Sequence, residues 1–462
     1  MIRKYFKKDF IAFIISLCAL DGFTSCSVDV PPPDLYSDPD AITTVQSARS
    51  LLTSCYLLYP HYEFEFSILG NDFCLSSLSG KNIDQQNLYN WQDKDISTMA
   101  ADVWLTYYNC IANCDVLLER MPDVSNDNPA AKNAIMAEVK TLKAMCYFQL
   151  LRLYAQPYAK GEDADGIVLK NHVGLETPGR SSIARCTSYI RTLLTEAAAV
   201  ENTPNRNGWL SQKAAINMLA ELELYAGRYE EAAGYAKQLL DAMPDGALAA
   251  ANYYRLWEAA TFEGRIFAFN TTSTYYNGIQ YDAKEGDYFA LNPDLILKEG
   301  DTRKATNEYV MTMAGEERIL MGKYNRRNKL ELTTSYVEQM RYANTLFIYA
   351  EAMARTGKED EARTRLNAYL TEMGASTLDE ALTGEALVKA ILAEKYREFA
   401  GEGRNWFDLK RTLTFIPRLT RWGASKSAII QATDYRWTFP IPSSEYKYNE
   451  AVTQNEGWPL NR

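Results

Sequence analysis

Hydrophobic and polar positions alternate along most of this chain with the period of an amphipathic helix, and alanines fall where helices approach closely. The pattern predicts helices over "DVWLTYYNCIANCDVLLERM" (Asp102–Met121), "AIMAEVKTLKAMCYFQLLRLYA" (Ala134–Ala155) and "SYIRTLLTEAAAV" (Ser188–Val200). Period-two runs are scarce, and "RIFAFNTT" (Arg265–Thr272) is the best strand. Two segments share one pattern of helix, glycine turn and helix: Ala214–Pro244 and Tyr342–Leu370. Aligning Ala232 with Ala362 also aligns Ala220 with Ala350 and Gly227 with Gly357. Both segments resemble the tetratricopeptide helical hairpin, whose role is packing and presentation of a wall or face. The copies lie far apart in the chain, so a simple tandem solenoid is not expected. The fold class predicted is mainly α: tetratricopeptide-like hairpins packed with an irregular, loop-rich lobe containing little β.

The N-terminus departs from this pattern. Arg3, Lys4, Lys7 and Lys8 precede the apolar run "FIAFIISLCAL" (Phe10–Leu20), and "FTSC" then places a small residue before Cys26. The run is too short for a comfortable membrane span, which takes about 20 apolar residues, and has the layout of an export signal. "FTSC" resembles a bacterial lipobox, in which Cys26 becomes the lipidated first residue and anchors the protein by acyl chains. The expected organisation is a signal at 1–25, a proline-stiffened tether at 26–40 ("SVDVPPPDLYSDPD" from Ser27), an N-terminal part at 41–210 and a C-terminal part at 211–462. The last two are expected to form one intertwined globular unit.

Composition narrows the function. A net charge of −10 argues against a nucleic-acid partner, which needs a basic footprint. Beyond Cys26, the residues Cys55, Cys74, Cys110, Cys114, Cys146 and Cys186 are too few for a disulfide scaffold in so long a chain and read as small core residues. Only His61 and His172 are available as imidazoles, so neither a zinc site nor a serine–histidine nucleophile has a recognisable pattern. No metal or cofactor is expected. Glu394 and Glu398, four apart on one helix face, are the spacing a glycosidase reading would start from, but surface helices often carry such pairs.

The 31 tyrosines and 8 tryptophans are the outlier. Such rings combine an apolar face with a polar edge, and an excess suits both core packing and stacking on sugars. Two stretches have the polar, aromatic texture of a binding loop: Gly70–Asp95 and Glu263–Ala305. In the first, Tyr89 and Trp91 stand beside Asn87, Asn90 and Asp93; in the second, Tyr275, Tyr276 and Tyr281 stand beside Asn277. These aromatics and Asn277 are the candidate ligand-binding residues, with Trp91 foremost and Trp257 and Tyr288 behind.

The densest motif is "REFAGEGRNWFDLKR" (Arg397–Arg411). Its helix buries Val388, Ile391, Leu392, Tyr396 and Phe399, Gly401 or Gly403 ends the helix, and Trp406, Phe407 and Leu409 return to the core. Glu398, Glu402, Arg404, Asp408 and Arg411 are then left to pair around the turn as ion pairs, a structural role.

Five stretches in order resemble the SusD/RagB family of outer-membrane nutrient-binding lipoproteins: "VWLTYYNCIANCD", "AEVKTLKAMCYFQLLRLYAQPY", "MRYANTLFIYAEAMARTG", "YREFAGEGRNWFDLKR" and "FPIPSSEYKYNEAVTQNEGW". Ala155 stands where that family usually has glycine, Asn344 where it usually has glutamate, and "NAYLTEMG" lacks its usual arginines. The resemblance implies surface display on a Bacteroidetes-type outer membrane, an oligosaccharide ligand, and delivery to a SusC-like TonB-dependent transporter. It implies no catalysis. Peptide binding within the family, a purely structural scaffold and a glycoside hydrolase are the alternatives.

Overall fold

A computed structural model describes residues 42–76, 83–170, 172–174, 176–203, 208–272, 289–313, 315–324, 334–419, 422 and 426–460. The leader, Cys26 and the tether lie outside the described residues, as do Tyr275, Tyr276, Asn277, Tyr281 and Tyr288.

Helices dominate. The N-terminal part holds α1 (Val45–Leu58), α2 (Glu63–Leu69), α3 (Ile83–Tyr89), α4 (Asp93–Arg120), α5 (Pro129–Tyr154) and α6 (Ile183–Ala198). The C-terminal part holds α7 (Gln212–Tyr225), α8 (Tyr229–Asp241), α9 (Tyr342–Arg355), α10 (Glu359–Glu372), α11 (Gly384–Glu398) and α12 (Asn405–Arg411). Among the described residues the strands form four two-stranded antiparallel sheets: β1 (Phe73–Cys74) with β3 (Ala290–Leu291), β2 (Arg265–Thr272) with β6 (Thr334–Arg341), β4 (Glu308–Met313) with β5 (Glu316–Met321), and β7 (Ile416–Leu419) with β8 (Lys426–Ile430). The strand read from sequence at 265–272 is β2. Strands β1, β3 and β7 are only two to four residues long, too short to impose a period on the sequence.

The two repeated hairpins are α7–α8 and α9–α10. In each, the connecting glycine adopts a left-handed backbone, φ +72° at Gly227 and +78° at Gly357. The amides that follow close the same helix-terminating turn: Gly227 and Arg228 bond back to the Leu224 and Glu223 carbonyls, and Gly357 and Lys358 to those of Ala354 and Met353. Ala220, Ala232, Ala350 and Ala362 are all fully buried, which lets the paired helices approach.

In space the copies are neighbours. Helix α9 packs along α8, although residues 242–341 separate the hairpins in the chain. Because α4, α5, α6, α7 and α8 also pack each on the next, the helices form one continuous array. The gap that argued against a solenoid in the sequence is an insertion that leaves the array and returns to it.

One apolar cluster runs from Ile42 to Trp458 and joins the helical array to the small sheets. The six cysteines beyond Cys26 are buried free thiols within it, as read from sequence. Among the described residues, no helix is long and apolar enough to cross a membrane.

Candidate functional site

The motif at 397–411 fixes the geometry of everything near it. Glu398 is fully buried between Arg341 Nη1 at 2.5 Å and Arg303 Nη1 at 2.9 Å. Glu402 lies 2.7 Å from Lys323 Nζ and 2.8 Å from Arg341 Nη2, and Glu394 lies 2.7 Å from Arg303 Nη2. Burial opposes ionisation of Glu398, but Arg341 and Arg303 outweigh it and hold the carboxyl down at about 2. Asp408 is likewise held at about 2 against burial by Lys395, 2.9 Å away, and Arg411, 2.7 Å away. Arg411 also reaches Glu351 on α9 at 2.5 Å.

The ion-pair reading of this motif is therefore right in kind: Asp408 and Arg411 pair within the motif as read, while its glutamates take their partners from outside it. Its two glutamates pair with Arg303, Lys323 and Arg341, all contributed by the insertion between the hairpins. Glu394 and Glu398 are buried and saturated with arginine, so they do not form an exposed catalytic pair.

The glycines after α11 couple this cluster to the loop lobe. Gly401 (φ +75°) and Gly403 (φ +69°) are both left-handed. The Gly401 amide donates to Asp72 Oδ2 at 2.9 Å, and the Gly403 amide to Ser67 Oγ at 2.9 Å. A Cβ on Gly403 would lie 2.8 Å from the Glu63 carbonyl oxygen, too close for any other residue. Asn405 Nδ2 adds a 2.6 Å bond to the Gly70 carbonyl. Burial pushes the Asp72 carboxyl up to about 8, against the Gly401 and Ser67 hydrogen bonds. The segment from Ser67 to Asp72 is thus clamped, and β1 follows directly from it.

From β1 the two polar loops chosen in sequence are brought together. The register pairs Phe73 with Leu291 and Cys74 with Ala290. Chain leaving β1 at Leu75 and chain entering β3 at Phe289 therefore lie at the same end of the sheet. A third segment joins them: the Trp422 amide donates to the Leu75 carbonyl at 2.6 Å. Below this corner, Arg418 donates to the Ile68 and Leu69 carbonyls at 2.9 and 2.8 Å and lies 4.3 Å over the Tyr89 ring. Lys426 and Asp294 close one side with an ion pair at 2.5 Å.

Trp422 is half-buried, and among the described residues its side chain stacks on no ring, carries no cation and makes no hydrogen bond. Trp209, the other partly exposed tryptophan, is covered by Arg49 at 4.0 Å. An indole held at its backbone and left partly exposed is a candidate ring for ligand contact.

The sequence-selected aromatics of the first loop are elsewhere. Trp91 is fully buried, 4.8 Å from Trp437, which continues at 5.7 Å to Trp406 of the densest motif. Its backbone is left-handed at φ +52°, held by Arg436, which donates to the Trp91 carbonyl at 2.6 Å. Tyr89 is buried and donates its hydroxyl to the Leu419 carbonyl at 2.7 Å. Both were expected to face ligand, and both instead build the floor under the corner. Trp257 is buried as well. A tryptophan or tyrosine amid asparagines looks the same in sequence whether it faces in or out, and only the turn after α3 decides. Trp422 was missed for a related reason: "TRWGASK" (Thr420–Lys426) is short, has no tyrosine cluster and gains its neighbours from residues far away in the chain.

The SusD family pattern matches residues 197–458, and a second pattern, described as starch-binding associating with outer membrane, matches residues 35–224. Among solved structures, a SusD-like carbohydrate binding protein from Bacteroides vulgatus is similar with TM-score 0.76 at 19% identity, covering 89% of this chain and 98% of its own. A SusD superfamily protein from the same organism reaches TM-score 0.79 at 20% identity over 90% of this chain and all of its own. A SusD superfamily protein from Bacteroides thetaiotaomicron reaches 0.74 at 19% identity over 89% of this chain. No curated protein sequence matches the chain significantly. A pattern spanning more than half of its length, in the same order as the motifs and on the same fold, places this chain in the SusD family.

Proposed function

We propose that the protein is a cell-surface lipoprotein, anchored through Cys26, that binds oligosaccharides and passes them to a SusC-like TonB-dependent transporter in the outer membrane. What supports the binding role most directly is the corner at Trp422. There a rigid scaffold brings three segments together around a half-buried indole that, among the described residues, stacks on no ring and makes no side-chain hydrogen bond. The family's association with outer-membrane starch binding agrees with a carbohydrate ligand. The reading assigns no catalysis: the carboxylates that the sequence offered for it, Glu394 and Glu398, are consumed by Arg303 and Arg341.

Native gels cast with a panel of polysaccharides test the proposal. Retarded migration without release of new reducing ends is the expected result. New reducing ends would identify a hydrolase. Free migration through every polysaccharide, with capture on immobilised peptides, would move the ligand to the peptide class.

A further inference from the structure

A separate groove opens where the C-terminus of α5, the end of α12 and the C-terminal segment meet. Its volume is about 330 Å³, which falls at the small end of the range of about 300–1,000 Å³ typical of ligand pockets. It shares no lining residue with the Trp422 corner.

One wall is Tyr435, 36% exposed and held rigidly. Its hydroxyl donates to Asp93 Oδ2 at 2.6 Å, and Trp458 meets its ring edge-on at 5.1 Å. Gly457 lies flat against it: a Cβ there would sit 2.4 Å from Tyr435 Cγ, and φ is +84°. The Arg436 guanidinium lies over the ring at 5.7 Å from its centroid, and the part of the ring that stays exposed is fixed at its hydroxyl, edge and back, so it loses little side-chain freedom on binding.

The other walls carry polar groups that the fold does not use. Among the described residues, the side chains of Gln156, Thr433 and Glu456 line the groove without a hydrogen bond or an ion pair. By contrast, Asn455 is fully engaged with Tyr154, Phe439 and Arg180, and Asp434 with Arg436. Leu413, 39% exposed on the rim, is left-handed at φ +53°, a conformation unfavourable for leucine. Lys410 forms part of the floor, its ammonium taken up by the Arg152 and Leu153 carbonyls at the end of α5. Two neutral side chains that donate and accept, with one carboxylate, beside a rigid and partly exposed aromatic ring match the hydroxyls and apolar face of a neutral sugar better than an anion or an apolar segment.

We propose that this groove is a second carbohydrate-contact site, in which a neutral sugar ring stacks on Tyr435 and its hydroxyls meet Gln156, Thr433 and Glu456. This rests on the carbohydrate-binding reading and adds a second point of attachment for a long glycan. Two linked contacts raise avidity for polymer far more than for a short oligosaccharide.

The test uses the full mature protein in native gels containing amylopectin, galactomannan or arabinoxylan, followed by calorimetry with a short oligosaccharide of whichever polymer retards it. Tyr435→Ala removes the platform, while Thr433→Trp fills the groove and leaves the Tyr435 packing intact. Each is expected to weaken polymer binding about three- to tenfold, the value of one aromatic contact. Calorimetry should show one fewer oligosaccharide site in Thr433→Trp than in the wild type. If the wild type is retarded and both Thr433→Trp and Tyr435→Ala match it, the groove proposal is overturned and the Trp422 reading stands. If no polymer retards the wild type, the carbohydrate reading itself fails and the groove proposal falls with it. Should Tyr435→Ala melt early, Thr433→Trp decides.

Discussion

The turn at 398–411 and the corner at Trp422 carry similar residue types in opposite circumstances. In the first, glutamates, arginines and a tryptophan are buried, and nearly every charge is matched: Glu398 by two arginines, Glu402 by Lys323 and Arg341, Asp408 by Lys395 and Arg411. In the second, an indole is half-buried against the core and, among the described residues, has no ring, cation or hydrogen bond on its side chain. A dense motif signals how many constraints a segment satisfies at once. A binding surface is recognised by the interactions the fold leaves unmade.

The contrast is broken most forcefully at Glu402. Glu402→Gln leaves Lys323 and Arg341 buried with one carboxylate fewer, which should cost about 3–5 kcal/mol. Denaturant unfolding checks the loss, while the folded fraction should bind glycan as the wild type does. A fully stable variant that had lost only its ligand would exchange the roles of the two regions.

Trp91→Ala should cost a similar amount, about 3–5 kcal/mol, because it opens a cavity between Trp437 and Arg418. Thermal melting of the purified variant reads this directly. A native-like melt with weakened glycan binding would restore Trp91 as a ligand contact.

Acid separates the regions without mutation. Glu398 and Asp408 titrate at about 2 in the folded protein, below the ordinary values of about 4.3 and 3.9. Their folded pKa values are depressed, so the stability they contribute is present above those ordinary values and is lost as pH falls from about 4 towards 2. Urea midpoints should drop across that window, and Asp408→Asn should make the drop shallower while lowering stability at neutral pH. The sugar contact proposed at Trp422 uses no ionised group, so affinity measured above pH 4.5 or so should stay flat.

Trp422→Ala should be the mildest change to the fold and a clear change to function. Melting should stay near that of the wild type, and glycan affinity should fall at least about tenfold, or about 1.4 kcal/mol. Unchanged affinity for a glycan that the wild type binds would remove Trp422 from the site.

How legible each part was follows from the range of the forces involved. The hairpins were readable because Gly227, Gly357 and the aligned alanines act within one or two helical turns of their own sequence. The structural role of 397–411 was readable because its apolar positions and its glycines declare a buried turn. The partners of Glu398 and Glu402 were not, since Arg303, Lys323 and Arg341 lie 57 to 95 positions away from the glutamates they meet. The orientation of Trp91 was not either, because its left-handed backbone and its contact with Trp437 depend on the C-terminal segment. Tyr275, Tyr276, Asn277 and Tyr281 keep their place as candidates and lie outside the described residues, in the sequence between β2 and β3.

By itself, then, the sequence determined what local periodicity and covalent pattern can encode: a helical protein with two like hairpins, a basic and apolar leader ending at Cys26, and a family signature at its C-terminus. Tertiary structure alone decided which aromatics are buried and which stay partly exposed. Burial is a property of everything that surrounds a side chain, and for Trp91, Trp422 and Tyr435 most of those surroundings come from distant parts of the chain.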